Sequence, residues 1–348
     1  MGAERETEMR DPRRTAREKP TRLSYADAER WRLVVEELSS FFTLRHCTPT
    51  RNRVKTKNHS LRLRLETGSL WSVEVPRDPP RQSSRTLDVS LVIPVCNGAD
   101  FVGDSVTRAR DFLAQRCPDF EIVVVDDGSS DGTAAMVQSM TDDRVHLITL
   151  PSNEGKTAAV IAGMAAASGR CRVFTDADLP YDLEAVPYIL DLVTNGGFHV
   201  VVGDRTLPES CSLTRTDVTR QLSSRIFSFS VRMLVTGGLF DSQCGLKGFR
   251  SDVAEALFPL LTHNGFSGDV ELLYIALKHN LSIRRIPVRL QGSSPSTVKL
   301  TIHSLPMLGR ILGLRRNWTS GRYDSKVLSG LGSQVYWPRT DVPGRPPP

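Results

Sequence analysis

The sequence predicts an α/β fold: a mostly parallel sheet flanked by helices, Rossmann-like in its alternation, with a small α+β extension at the N-terminus. Three observations predict it. From Leu87 onward, short β-branched runs alternate with helical stretches at short spacing, the rhythm of right-handed βαβ units. Runs such as "EIVVVDD" are continuously apolar before their terminal acids, as strands buried on both faces are. Several of these runs end in polar or acidic residues, and in a parallel sheet such ends share one edge.

Taken in order, residues 1–22 are polar and charge-rich and read as a basic, disordered arm. Residues 23–78 read as a small module. Its helix, "SYADAERWRLVVEELSSFFTL", puts Trp31, Val34, Val35, Leu38 and Phe42 on one face behind a Ser24 cap, with Asp27 three residues on. "SLRLRLETGSLWSVEV" then alternates apolar and polar residues around Thr67-Gly68-Ser69, as a hairpin does. Residues 79–86, rich in Pro, Ser and Arg, form a linker.

The main domain is expected over 87–298. "LDVSLVIPV", "FEIVVVDD", "RVHLITL", "CRVFTDAD" and "FHVVVGDR" are its strands, with helices over roughly 100–115, 132–140, 155–168 and 182–194. In "DGSSDG", Ser130 or Asp131 can cap the helix that follows. Residues 299–318 form an amphipathic helical region in which Leu300, Leu305, Leu308, Ile311 and Leu312 share a face ringed by Lys299, His303, Arg310, Arg315 and Arg316, with a break at Pro306. Two readings of that face stand side by side: packing on the domain, or lying in a membrane interface. Residues 319–348 read as a tail.

Composition narrows the function. With 39% hydrophobic and 24% charged residues the chain is an ordinary globular protein. Its six cysteines lack CxxC pairing, which argues against a disulfide framework or zinc cluster. No run of about 18 apolar residues and no export-type leader is present, so the expected location is cytoplasmic. Residues 1–85 hold 19 Lys and Arg against 12 Asp and Glu, while the remainder is near neutral. The excess charge belongs to the extension, and without an Arg-aromatic recognition motif it reads as a solvated tail rather than a nucleic-acid surface.

The chemistry lies where strands end. "PVCN", "VVVDDGS" and "FTDAD" bring Asp126, Asp127, Asp176 and Asp178 to one edge, where four carboxylates repel one another unless a cation sits among them. Asp176 and Asp178, separated by the small Ala177, have the spacing to hold Mg²⁺ or Mn²⁺ through hard oxygens while leaving positions for phosphate oxygens. From this segment alone, charges that merely end a strand in water remain an alternative. Calcium binding is disfavoured because the twelfth position from Asp127 is Gln138, not a bidentate Glu. A P-loop is disfavoured because Leu150 stands where "NEGKT" needs its first glycine.

Residues 87–316 resemble a family 2 glycosyltransferase of the GT-A fold, nearest the dolichyl-phosphate glucosyltransferase and polyprenyl-phosphate glycosyltransferase subgroup. The resemblance is carried, in order, by "SLVIPVCN", "VVVDDGSSDGT", "NEGKTAAVIAGMAAASG", "FTDADLPYDLEAVP", "VVGDR", "DSQCGLKGFR" and "GDVELLYIALKHNLSIRRIPV". It implies that Asp127 holds the base or ribose of a nucleoside-diphosphate sugar, with Pro94 and Asn97 lining the pocket and Asp126 supporting the loop. Asp178 would bind the metal, and Asp176 the ribose, metal or sugar edge. Lys156 and Arg205 would face phosphates, and Gln243 and Lys247 would close the sugar side. Asp269 of "GDVE" is the candidate general base, although acids also favour helix starts for their own sake.

The implied reaction is metal-dependent inverting transfer of a hexose, from UDP-glucose first and GDP-mannose second. The implied acceptor is a polyprenyl phosphate at the inner face of a membrane, touched peripherally. The alternatives are a soluble small-molecule acceptor and a non-catalytic nucleotide-sugar binding protein. Three departures from the family pattern bear on this. Cys96 replaces an aromatic after "PV", Gly98 replaces an acid, and Pro180 occupies a position often polar in the mannosyl type.

Overall fold

The apolar runs fold as the central strands of a seven-stranded sheet. In the computed structural model, residues 60–64, 70–74, 87–212, 241, 243–262, 267–291 and 313–334 are described. The expected arm, N-terminal helix and linker, and residues 299–312 of the amphipathic region, lie outside them. Strand β1 (Ser60–Arg64) pairs antiparallel with β2 (Leu70–Glu74).

The main domain then runs β3 (Val89–Val95), α1 (Val102–Arg116), β4 (Phe120–Asp126), α2 (Thr133–Gln138), β5 (Val145–Thr149), α3 (Lys156–Ala166), β6 (Cys171–Phe174), α4 (Ala185–Thr194) and β7 (Val200–Asp204). After β8 (Cys211–Ser212) come β9 (Lys247–Arg250), α5 (Ser251–Leu257), α6 (Ser267–Lys278), β10 (Ile283–Pro287) and β11 (Arg289–Leu290). A short helix, α7, covers 313–319, and α8 spans Lys326–Ser333.

The sheet order is β10-β7-β9-β6-β3-β4-β5. All neighbours are parallel except β9, which is antiparallel to both β6 and β7. Every residue of β3 and β4 is buried. Alternation across the pleat serves two cores: Val92 packs with residues of α3, α5 and α6, whereas Leu91 and Ile93 pack with residues of α1 and α4. The chain winds outward through β3, β4 and β5, then returns to place β6 on the other side of β3. That reversal opens a crevice beyond the carboxyl ends of β3 and β6, where open α/β sheets bind ligands.

Two features differ from expectation. The strand β9 was not foreseen, because "KGFR" is short and charged; reversed in the sheet, it starts at the crevice, with Lys247 opposite Phe174 and Val202. The supposed tail is structural as far as Gln334. Tyr323 and Leu328 are fully buried in the core that contains α6, and Ser325 caps α8 by accepting from Leu328 N–H.

Candidate active site

The loops after β3 and β4 are laced together by the residues that the turn sequence supplies. Asn97 takes a left-handed conformation (φ 51°), which Asn tolerates better than most side chains. Its N–H donates to Ser129 Oγ at 2.8 Å, and its Oδ1 accepts from Ser130 N–H at 2.9 Å. Asp126 is buried and accepts from Ser129 N–H at 3.1 Å, and Asp131 accepts from the N–H groups of Ala99 and Thr133. Pro94 stands past the last β3–β6 pair, Val92 with Phe174, at the wall of the crevice.

Asp127 is also buried, and it is committed to the backbone. Its two carboxylate oxygens accept from Glu154 N–H at 2.8 Å and Gly155 N–H at 2.9 Å. Burial pushes its carboxyl up, partly opposed by these two bonds. The side chain therefore clamps the segment that delivers Lys156, a task the strand-end argument did not foresee. Nearby, Asn153 Nδ2 donates to Cys96 Sγ at 3.1 Å.

Three cation–carboxylate pairs line the other side of the crevice. Lys156, at the first position of α3, pairs with Asp176 beyond β6. Burial works against its charge, but the Asp176 and Asp269 carboxylates outweigh it and hold the ammonium above its ordinary range. Arg205, beyond β7, grips Asp241 through Nε and Nη2 at 2.7 and 2.8 Å, and nearly half of its side chain stays exposed. Burial opposes ionisation of Asp241, yet the guanidinium bonds pull its carboxyl below the usual range.

The third pair corrects an expectation. Lys247 was placed on the sugar side, but it has no exposed surface. Its ammonium donates to Asp269 Oδ1 at 2.7 Å and to the Cys244 carbonyl at 2.6 Å, 5.3 Å from the Phe174 ring centre. Its carboxylate partner, Asp269, stands at the start of α6.

Two glycines make this convergence fit. A Cβ on Gly245 would lie 1.9 Å from Asp176 Oδ2, so only hydrogen leaves room for that carboxylate beside the "CGLK" segment. A Cβ on Gly268 would lie 2.2 Å from Thr157 Oγ1, so the start of α6 can press against the start of α3. Lys156, Thr157, Phe174, Gly268 and Asp269 consequently line one cleft. Sequence reasoning missed the roles of Asp241, Gly245 and Tyr181, whose hydroxyl accepts from Gly245 N–H at 3.2 Å. All three sit inside the motifs quoted above, so motif membership was the available signal.

Asp178 and Gln243 are half-buried. The carboxylate of Asp178 has no hydrogen-bond or ionic partner among the described residues, although it stands on the turn directly after Asp176. A carboxylate without a partner among the described residues, next to one that is half-committed to Lys156, fits a hard divalent cation with few protein ligands. Among the described residues no three His, Cys, Asp or Glu side chains gather around one point.

The sequence model of glycosyl transferase family 2 matches residues 90–258, which takes in β3 through the end of α5. The human dolichyl-phosphate beta-glucosyltransferase is 31% identical over 225 residues, covering 60% of this chain and 69% of that protein. The chain belongs to glycosyl transferase family 2. The Dictyostelium discoideum dolichyl-phosphate beta-glucosyltransferase is 28% identical over 251 residues, 68% of this chain and 77% of that one. As a member of this family the protein is a glycosyltransferase. The fold is shared with Mycobacterium tuberculosis glucosyl-3-phosphoglycerate synthase in complex with Mg²⁺ and UDP, at a TM-score of 0.50 and 20% identity over 65% of this chain and 78% of that one.

The clamp made by Asp127 carries an expected outcome. In Asp127→Ala, two partly buried N–H groups lose their acceptor and the Lys156 segment loosens before any chemistry begins. Donor KM should rise roughly tenfold with kcat changed less than threefold, because the lost organisation is common to the ground and transition states. Steady-state kinetics on the nucleotide sugar check this; a large fall in kcat at unchanged KM would contradict it.

Proposed function

We propose that the protein is a metal-dependent, inverting hexosyltransferase that takes a nucleoside-diphosphate sugar, UDP-glucose first and GDP-mannose second, and glycosylates a polyprenyl phosphate. The observation that carries the reading is the convergence at one crevice of Lys156–Asp176, Asp178, which has no partner among the described residues, and the half-exposed Arg205. Relatives named dolichyl-phosphate beta-glucosyltransferases support the choice of donor sugar and acceptor.

In this reading Asp126, Asp127, Pro94 and Asn97 form the nucleotide side, and Gln243 faces the sugar. Mg²⁺ or Mn²⁺, held by Asp178 with Asp176, would neutralise charge on the departing diphosphate. Lys156 and the free face of Arg205 add fixed positive charge for phosphate oxygens, where cationic hydrogen bonds are strongest. Asp269 lies at the cleft that meets Lys156. A phosphate monoester acceptor is already ionised at neutral pH, so for it Asp269 serves by sustaining the Lys156 charge rather than by taking a proton, whereas a hydroxyl acceptor would use Asp269 as general base.

Among the described residues no helix is long and apolar enough to cross a membrane. We place the enzyme in the cytoplasm, in peripheral contact with the inner face of a membrane. The test pairs a panel of nucleotide sugars, with and without Mn²⁺, with a short polyprenyl phosphate and with water-soluble acceptors. Sedimentation with anionic vesicles at low and high salt accompanies it. Mn²⁺-dependent transfer from UDP-glucose to the lipid phosphate, with salt-sensitive vesicle binding, is the expected result. Transfer only to a soluble acceptor without vesicle binding would replace the lipid reading, and no consumption of any donor would reduce the protein to a binding role.

A further inference from the structure

The chain beyond the family-matched region returns to the helix that carries Asp269. Glu271, two residues after Asp269, is fully buried and is surrounded by donors from two other segments. It accepts from Thr262 N–H at 2.9 Å and from Thr262 Oγ1 at 2.6 Å, just before α6. From the far end of the chain, the Tyr323 hydroxyl donates to Glu271 Oε1 at 2.6 Å and itself accepts from Asn317 Nδ2 at 2.9 Å.

The same strap is anchored again at the other end of α6. One His279 ring nitrogen lies 2.9 Å from the Tyr323 carbonyl and the other 3.1 Å from Ser329 Oγ, and Trp318 meets the imidazole edge to face at 5.3 Å. Gly332 passes so close to His279 that a Cβ would fall 1.7 Å from its carbonyl oxygen. Residues 313–334 are thus fastened to both ends of α6 by separate contacts.

We propose that Tyr323 is a positioning residue for glycosyl transfer: through Glu271 it fixes the first turn of α6, and with it the angle at which Asp269 enters the cleft beside Lys156. Glu271 and Asp269 share one turn, and neighbouring positions of a hydrogen-bonded turn cannot reorient independently. Asp269 is held from the sheet side by Lys247; the Thr262–Glu271–Tyr323 cluster supplies the matching restraint from the helix side. A buried hydroxyl donating to a buried carboxylate is a short, charge-assisted bond, stiff enough to set that angle. The inference rests on reading Asp269 as a residue of the active site.

The experiment compares the full-length protein with Tyr323→Phe, Asp269→Asn and Val106→Ala, using the donor and acceptor that turn over in the panel above, far below each variant's Tm. Tyr323→Phe keeps the ring and loses only the bond. Its kcat should fall roughly tenfold with donor KM within about twofold, since small misplacements act on the reacting geometry. Val106→Ala, a cavity in the opposite core, should lower Tm comparably and leave kcat unchanged. Normal kcat in Tyr323→Phe beside an inactive Asp269→Asn would overturn the inference alone. Normal kcat in Asp269→Asn would overturn the site reading and the inference together. A proportional loss in Val106→Ala would mean that stability, not position, is being read.

Discussion

Asp178→Asn leaves the protein folded and removes transfer, lowering kcat/KM by about a hundredfold or more, the scale expected when a metal's grip on developing phosphate charge is lost. The change is nearly isosteric, and no hydrogen bond or ion pair of Asp178 among the described residues is broken by it, so Tm should move by little. What disappears is a carboxylate that no cation among the described residues neutralises, whereas Asp176 answers to Lys156, Asp241 to Arg205 and Asp269 to Lys247. The metal dependence should change with the rate. Wild-type activity should vanish with EDTA and return with Mn²⁺, whereas the variant should need far more Mn²⁺ for any recovery. Normal turnover by Asp178→Asn at the wild-type Mn²⁺ requirement would show that the cation is held elsewhere.

The place of these residues at one sheet edge is legible in the sequence, for a physical reason. Strand identity at β3, β4 and β6 follows from apolar runs that only a doubly covered sheet tolerates. Parallel topology then forces Asn97, Asp127 and Asp176 to one edge. What could not be read was the partner of each charge. Lys247 looked like a loop cation because "QCGLKGF" shows no strand periodicity, and its burial depends on β9 running backwards between β6 and β7. Asp127 looked like a free ligand, but its backbone partners lie 27 and 28 residues away. Tyr323 looked like tail because a single aromatic in a polar stretch carries no period; its burial is set by Glu271 on α6 and His279 just beyond it. Local pattern specified the elements, and long-range pairing decided what their charges do.

The Lys247–Asp269 pair allows stability and function to be separated in one set of variants. Removing the ammonium in Lys247→Met leaves a carboxylate at the edge of the core without its cation and a Cys244 carbonyl without its donor. Breaking a buried pair from one side costs about 3–5 kcal/mol, which for a domain of this size lowers Tm by roughly 10 °C. Activity should be lost as well, since Asp269 no longer has a fixed position. In Lys247→Met/Asp269→Leu both charges are gone and the site is apolar, a replacement that is often neutral or stabilising. The double variant should therefore regain most of the lost Tm while remaining inactive, the Cys244 carbonyl accounting for what is not recovered. Urea unfolding and transfer assays on the three proteins decide it. If Lys247→Met unfolds within about 1 kcal/mol of wild type, a spread ordinary for exposed pairs, the pair is not the buried strut its geometry describes. If the double variant transfers sugar at the wild-type rate, Asp269 has no part in the reaction, and the positioning assigned to Lys247 and Tyr323 loses its object.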